Sequence, residues 1–149
     1  MTTATELSLE VSRHLPHPPE QVFDAWLDPA MLQKFMLPAP HMSVTATEND
    51  PRVGGTFKIV MQAPDVEEGW PHTGTYLEMD RATKLRFTWV SAYSQEDSEV
   101  TLTLVPRDGG TDLTLRHIRF PDEEVRNNHE GGWTLILQAL DGVMAEATV

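Results

Sequence analysis

His117 is the residue in this chain best suited to move a proton. It shares strand parity with Leu113 and Leu115, so an imidazole is expected to point into an apolar face. Tyr76, with Gly74 on one face of another alternating stretch, supplies a hydroxyl. Together His117 and Tyr76 are the candidate proton-transfer pair if the chain is a catalyst; otherwise no catalytic residue is assigned. His129 stands just ahead of a glycine pair, Gly131-Gly132, followed by Trp133. If that pair opens a helix, its free N–H groups favour an anion. His72, His117 and His129 lie far apart in the chain with no close-spaced ligand pair, and there is no cysteine. No metal site and no cofactor are therefore expected. His14 and His17 flank Leu15-Pro16 where a strand gives way to prolines, and both are expected at the surface.

These groups need elements to position them. From Trp133 onward, Trp133, Ile136, Leu137, Leu140, Val143, Met144 and Ala147 recur in steps of three and four, the period of one apolar helix face. Within the stretch Pro121 to Val149, the chain from Trp133 onward is thus read as a long C-terminal helix, opened by Gly131-Gly132. Elsewhere the chain mostly alternates. Thr5 to Leu15, His41 to Glu48, Thr56 to Gln62, Trp70 to Met79, Leu85 to Trp89, Val100 to Leu104 and Thr111 to Arg119 read as strands. Pro18 or Pro19 fits the first turn of a short helix with Val22, Phe23, Trp26 and Leu27 apolar; Pro29 to Phe35 makes a second. Pro38-Ala39-Pro40 ends that pair. Asp65 to Gly69 reads as an acidic hairpin tip and Glu96-Asp97 as a loop. Gly54-Gly55 suggests a bulge or a close backbone approach, and no helix follows it to make a phosphate loop.

Element order is then β, α, α, five or six strands, and a long α. Short turns between successive strands imply an antiparallel meander, with the helix covering its apolar face. The expected fold class is α+β, in one domain over residues 1–149.

Composition narrows function. A formal net charge of −12 argues against nucleic acid and anionic membrane surfaces as partners. No basic segment followed by an apolar run opens the chain and no stretch matches a membrane span, so a cytoplasmic location is expected. The space between helix and sheet is the expected small-molecule site. Its lining by parity is Phe57, Ile59, Met61, Tyr76, Phe87, Trp89, Leu102, Leu115 and His117 from the sheet, with Trp133, Ile136, Leu137 and Leu140 from the helix; Phe35 joins them from the second short helix. Seven methionines suit an adaptable lining.

The segments V-F-D-A-W-L-D-P, R-V-G-G-T-F, G-T-Y-L-E-M, K-L-R-F-T-W, E-V-T-L-T-L, G-G-T-D-L-T-L-R-H and F-P-D-E-E-V-R-N-N-H-E-G-G-W, in that order, resemble the family related to the activator of Hsp90 ATPase, within the START-like (SRPBCC) superfamily. The resemblance runs from about Glu6 to Met144. It implies a helix-grip fold: a bent antiparallel sheet around the last helix, with two small helices near the start. Phe35 stands where bacterial members often carry a tryptophan. The superfamily includes binders of lipids, hormones and polyketides, as well as cyclases and hydrolases, so a small hydrophobic ligand is the implied partner. An enzyme acting on such a ligand and a co-chaperone-like interaction module are the alternatives. Nothing in the sequence selects a protein partner, or a monomer over a homodimer.

Overall fold

In the computed structural model, residues 7–37, 42–64, 69–91 and 98–147 are described. Seven strands and three helices follow in the order β1 (Ser8–Leu15), α1 (Pro19–Ala25), α2 (Pro29–Phe35), β2 (Ser43–Asn49), β3 (Thr56–Gln62), β4 (Trp70–Asp80), β5 (Lys84–Thr88), β6 (Glu99–Arg107), β7 (Gly110–Ile118) and α3 (Glu123–Ala147). The strands form one antiparallel sheet in the order β1-β7-β6-β5-β4-β3-β2. β2 to β7 are a continuous meander, and β1 returns to pair with β7, placing Leu9 opposite His117 and Val11 opposite Leu115. Curled around α3, the sheet makes the helix-grip α+β fold. The starts at Thr5 and His41, the Pro38–Pro40 stop, most of the Asp65–Gly69 tip, the Glu96-Asp97 loop and the Ala147 side chain lie outside the described residues.

Local chemistry sets the helix boundaries. Pro19 occupies the first turn of α1, where no N–H is needed. Asp28 caps α2 by accepting from the Ala30 N–H at 2.9 Å, and Pro29 follows it. The Asp122 carboxylate accepts from the Val125 N–H at 2.9 Å, and Glu123 and Glu124 complement the dipole of the first turn. α3 therefore begins at Glu123, well before the glycine pair. Gly131 and Gly132 sit inside the helix with their N–H groups committed to it, which removes the anion site expected there.

The Gly54-Gly55 expectation is met. Gly54 has φ +85°, and a Cβ on Gly55 would stand 2.1 Å from the Asp50 carbonyl oxygen. The surface expectation for the two N-terminal histidines holds for one of them. His14 is exposed and pairs with Asp112 at 2.7 Å. His17 is buried: its N–H donates to the Leu15 carbonyl at 2.8 Å, and its own carbonyl accepts from the Thr111 hydroxyl at 2.7 Å. The prolines around His17 turn the chain tightly back onto β7 instead of letting it leave the sheet.

The core lies between the concave sheet face and all three helices. Leu85, Val100, Leu102, Leu113 and Leu115 from the sheet are fully buried with Leu137 and Leu140 of α3 and Val22 and Phe35 of α1 and α2. Arg13 of β1 fastens the outer side of α3 through Asp141, donating from Nε and Nη2 at 3.0 and 2.9 Å.

Candidate functional site

The N-terminal half of α3 does not close fully on the sheet. A cavity of about 270 Å³ remains there. Val125, Asn128, His129, Gly132, Trp133 and Ile136 line it from the helix, spaced as one face. Met61 of β3, His72 of β4, and Trp89 and Ser91 beyond β5 line it from the sheet. The lining is mainly apolar with a few polar groups, as small-molecule sites are.

Aromatic rings make its wall. Trp89 meets Trp133 with ring centroids 4.9 Å apart, and His72 packs against Trp89 at 5.1 Å with the rings tilted by 38°. Behind Trp133 stands Trp26, the C-cap of α1, at 6.5 Å, and Phe35 meets Trp26 edge-on at 5.0 Å. The wall of the cavity is thus continuous with the packing of the two short helices.

Three histidines surround this wall, all with pKa values pushed down. Burial lowers His72 to about 4; the Trp70 carbonyl, 3.0 Å from Nδ1, opposes this, and neighbouring His129 adds to it. Burial also lowers His129, against the Val125 carbonyl that accepts from its Nδ1–H at 2.8 Å. His117 falls to about 3, chiefly by burial and then by the nearness of His129. The tautomer of His117 follows from its neighbours. The Trp133 indole N–H can only donate, and it donates to His117 Nδ1 at 3.0 Å. The proton of the neutral ring is therefore on Nε2, which donates to the Ser98 hydroxyl. Both ring nitrogens are committed, and the ring is fully buried behind Trp133 rather than in the cavity wall. Among the described residues no group of three or more ligating side chains stands together to hold a metal ion.

Of the side chains expected to line a ligand site, Met61, Trp89, Trp133 and Ile136 meet at the cavity. Phe57, Ile59, Tyr76 and Phe87 line, with Trp89, a separate gap of about 10 Å³ beneath Trp26, Leu32 and Met36. That gap holds at most about one water. Tyr76 is buried there, its hydroxyl accepting from Asn49 Nδ2 at 3.2 Å; burial raises its pKa, the Asn49 bond opposing. Phe35, Leu102, Leu115, Leu137 and Leu140 are buried core positions that line neither space, and His117 is in the layer behind. The sequence reading did not place His72, Ser91, Val125, Asn128, His129 and Gly132 in the lining. A signal existed for most of them. His72 shares the parity of Gly74 and Tyr76, while Val125, His129, Gly132, Trp133 and Ile136 extend the helix period backward.

A long helix gripped by a curved antiparallel sheet, with an aromatic-walled cavity at one end of the grip, defines a protein of the START-like helix-grip class. The chain belongs to the family described as activator of Hsp90 ATPase homolog 1-like protein, whose pattern matches residues 16–145. Among solved structures, a protein from Chromobacterium violaceum is 32% identical, with 91% of this chain and 95% of that one covered and a TM-score of 0.83. A protein from Nitrosomonas europaea, 24% identical over 98% of this chain and 99% of its own, has a TM-score of 0.81. The AHSA1-like protein from Aeromonas hydrophila, 23% identical over 95% and 94%, likewise scores 0.81. The latter two show the fold alone. A search of curated proteins finds no significant match. Among the described residues, no helix is long and apolar enough to cross a membrane.

Proposed function

We propose that this chain is a single ligand-binding domain that takes one small, mainly apolar molecule into the cavity between the start of α3 and the β3–β4–β5 end of the sheet. The observation that carries this is the contrast in packing. The middle of the grip is filled by Trp26, Leu32 and Met36, yet about 270 Å³ stays open beside Trp89 and Trp133. Such an apolar cleft with a few polar groups is the usual setting of a small-molecule site. It lies just below the usual range of ligand sites, roughly 300–1,000 Å³, and suits a ligand of about one or two rings. Burying a two-ring aromatic removes roughly 150–250 Å² from water, worth about 4–6 kcal/mol before association costs. An unoptimised probe should therefore bind more weakly than about 1 µM.

The test is titration with methylnaphthalene followed by tryptophan emission and calorimetry. The expected result is saturable binding of one molecule per chain with a shift in emission from Trp89 and Trp133, lost when the cavity is filled. Absence of binding by any aromatic probe would overturn the proposal. Catalysis by His117 and Tyr76 gains no support, since neither lines the cavity and both of the His117 nitrogens are engaged. An interaction module gains little either. The exposed large apolar side chains among the described residues are Val53, in the β2–β3 turn, and Val105 of β6.

A further inference from the structure

We propose that this cavity selects ligands carrying a neutral hydrogen-bond donor, a phenol or aryl alcohol, whose O–H is accepted by His129 Nε2. The inference rests on the ligand-binding reading above and concerns what the site recognises. His129 is on the face of α3 that lines the cavity, one turn before Trp133. Its Nδ1 stands 2.8 Å from the Val125 carbonyl oxygen, a group that can only accept. Nδ1 must therefore carry the proton of the neutral ring, which leaves Nε2 as a lone pair. No donor to Nε2 exists among the described residues. The ring's orientation is set by Phe120 and His117, with centroids 5.2 and 5.3 Å away. Burial favours the neutral form of this ring and of His72.

Charge on the ligand is disfavoured in both directions. Among the described residues neither lysine nor arginine lines the cavity, and the chain carries a net charge of −12, so a carboxylate or phosphate finds no cation among them. Among the described residues neither aspartate nor glutamate lines it, so an ammonium finds no carboxylate partner among them. A phenol keeps its ring against Trp89 and Trp133 and loses only the hydration of one O–H, which the imidazole replaces. The inference asks for no covalent change in the ligand.

Calorimetric titration with four shape-matched probes, namely naphthol, methylnaphthalene, naphthoate and naphthylmethylammonium, tests this on the wild-type chain and on His129→Leu. The expected result is that both neutral probes bind the wild type and the two ions do not. In His129→Leu the ratio of naphthol to methylnaphthalene affinity should fall at least about fivefold, because the hydroxyl then lacks its acceptor. A ratio unchanged by His129→Leu overturns the proposal while leaving the ligand-binding reading intact. Tightest binding by naphthoate or naphthylmethylammonium does the same. Failure of every probe removes both. Imidazole nitrogen NMR of the wild-type chain tests the acceptor without any mutation. Naphthol, and not methylnaphthalene, should shift the unprotonated Nε2 resonance of His129, and a resting ring protonated on Nε2 refutes the assignment.

Discussion

Gly132 offers a substitution in which stability and binding should move in opposite directions. It lies within α3 with helical backbone geometry and borders the cavity. Gly132→Leu replaces a poor helix former by a good one, worth about 0.7 kcal/mol. It also adds an apolar side chain at a position that lines the cavity, and burial of a leucine there is worth about 1.5–3 kcal/mol. The about 270 Å³ available is ample for it. The variant should thus be more stable than the parent by about 2–4 kcal/mol. For a chain of this size each kcal/mol raises Tm by roughly 2–4 °C. Binding of methylnaphthalene should be lost in the same variant. The control is Gly131→Ala, one residue away. A Cβ on Gly131 meets nothing within 4 Å, so the helix should gain about 1 kcal/mol with binding unchanged. Thermal unfolding and calorimetric titration on the three proteins decide the matter. If Gly132→Leu folds normally and still binds like the parent, the cavity is not the binding site. If it is destabilised, the space beside Gly132 is not available to a side chain as argued here.

Three further outcomes are expected. Leu137→Ala and Leu140→Ala, at fully buried positions of α3, should each cost about 2–5 kcal/mol by urea unfolding. Trp133→Phe leaves the buried Nδ1 of His117 without its donor and should cost at least about 1–3 kcal/mol by the same measurement. His117 has a folded pKa of about 3 against 6.5 for an unperturbed ring. The unfolded chain takes up its proton first, so stability contributed by neutral His117 is complete above 6.5 and declines as pH falls toward 3. Below the unfolded pKa this single ring should contribute a slope approaching about 1.4 kcal/mol per pH unit, and unfolding of His117→Asn across about pH 7 to 5 should be flatter by up to that amount.

The fold was readable because its signals are local and periodic. Alternation assigned inward parity correctly to Phe57, Ile59 and Met61, to Leu85, Phe87 and Trp89, and to Leu113, Leu115 and His117, all of them buried. The start of α3 was less visible. Its apolar period is dense only from Trp133, while the earlier turns carry Arg126, Asn127, Asn128 and Glu130, so the Asp122 cap was the better guide to the boundary. His17 was misplaced because local composition marks a proline-rich exit without showing which surface the chain folds back onto. The cavity was legible only in part for a related reason. Parity tells which side chains point inward, but not which of them another element covers. Phe57, Tyr76 and Phe87 point inward as expected and are then covered by Trp26, Leu32 and Met36, whose approach is set by tertiary packing.

That packing divides α3 into two halves. From Trp133 to Met144 the inner face carries large apolar side chains, and Trp133, Ile136, Leu137, Leu140 and Met144 are each at most 5% exposed. From Val125 to Gly132 the inner positions are valine, asparagine, histidine and glycine, with too little volume to reach Met61, His72 and Trp89 across the grip. The helix continues through this stretch despite two glycines, each costing about 1 kcal/mol relative to alanine. Anchorage at the far end makes that affordable: Leu137, Leu140 and the Arg13–Asp141 pair hold the helix to the sheet. A rigid anchored half keeps the other half at a fixed distance from the sheet. The gap is therefore a consequence of side-chain volume, not of a loose helix, and it should persist without ligand. For this reason the Gly132→Leu variant is a sharper test than any change in the anchored half, where lost packing and lost binding would arrive together.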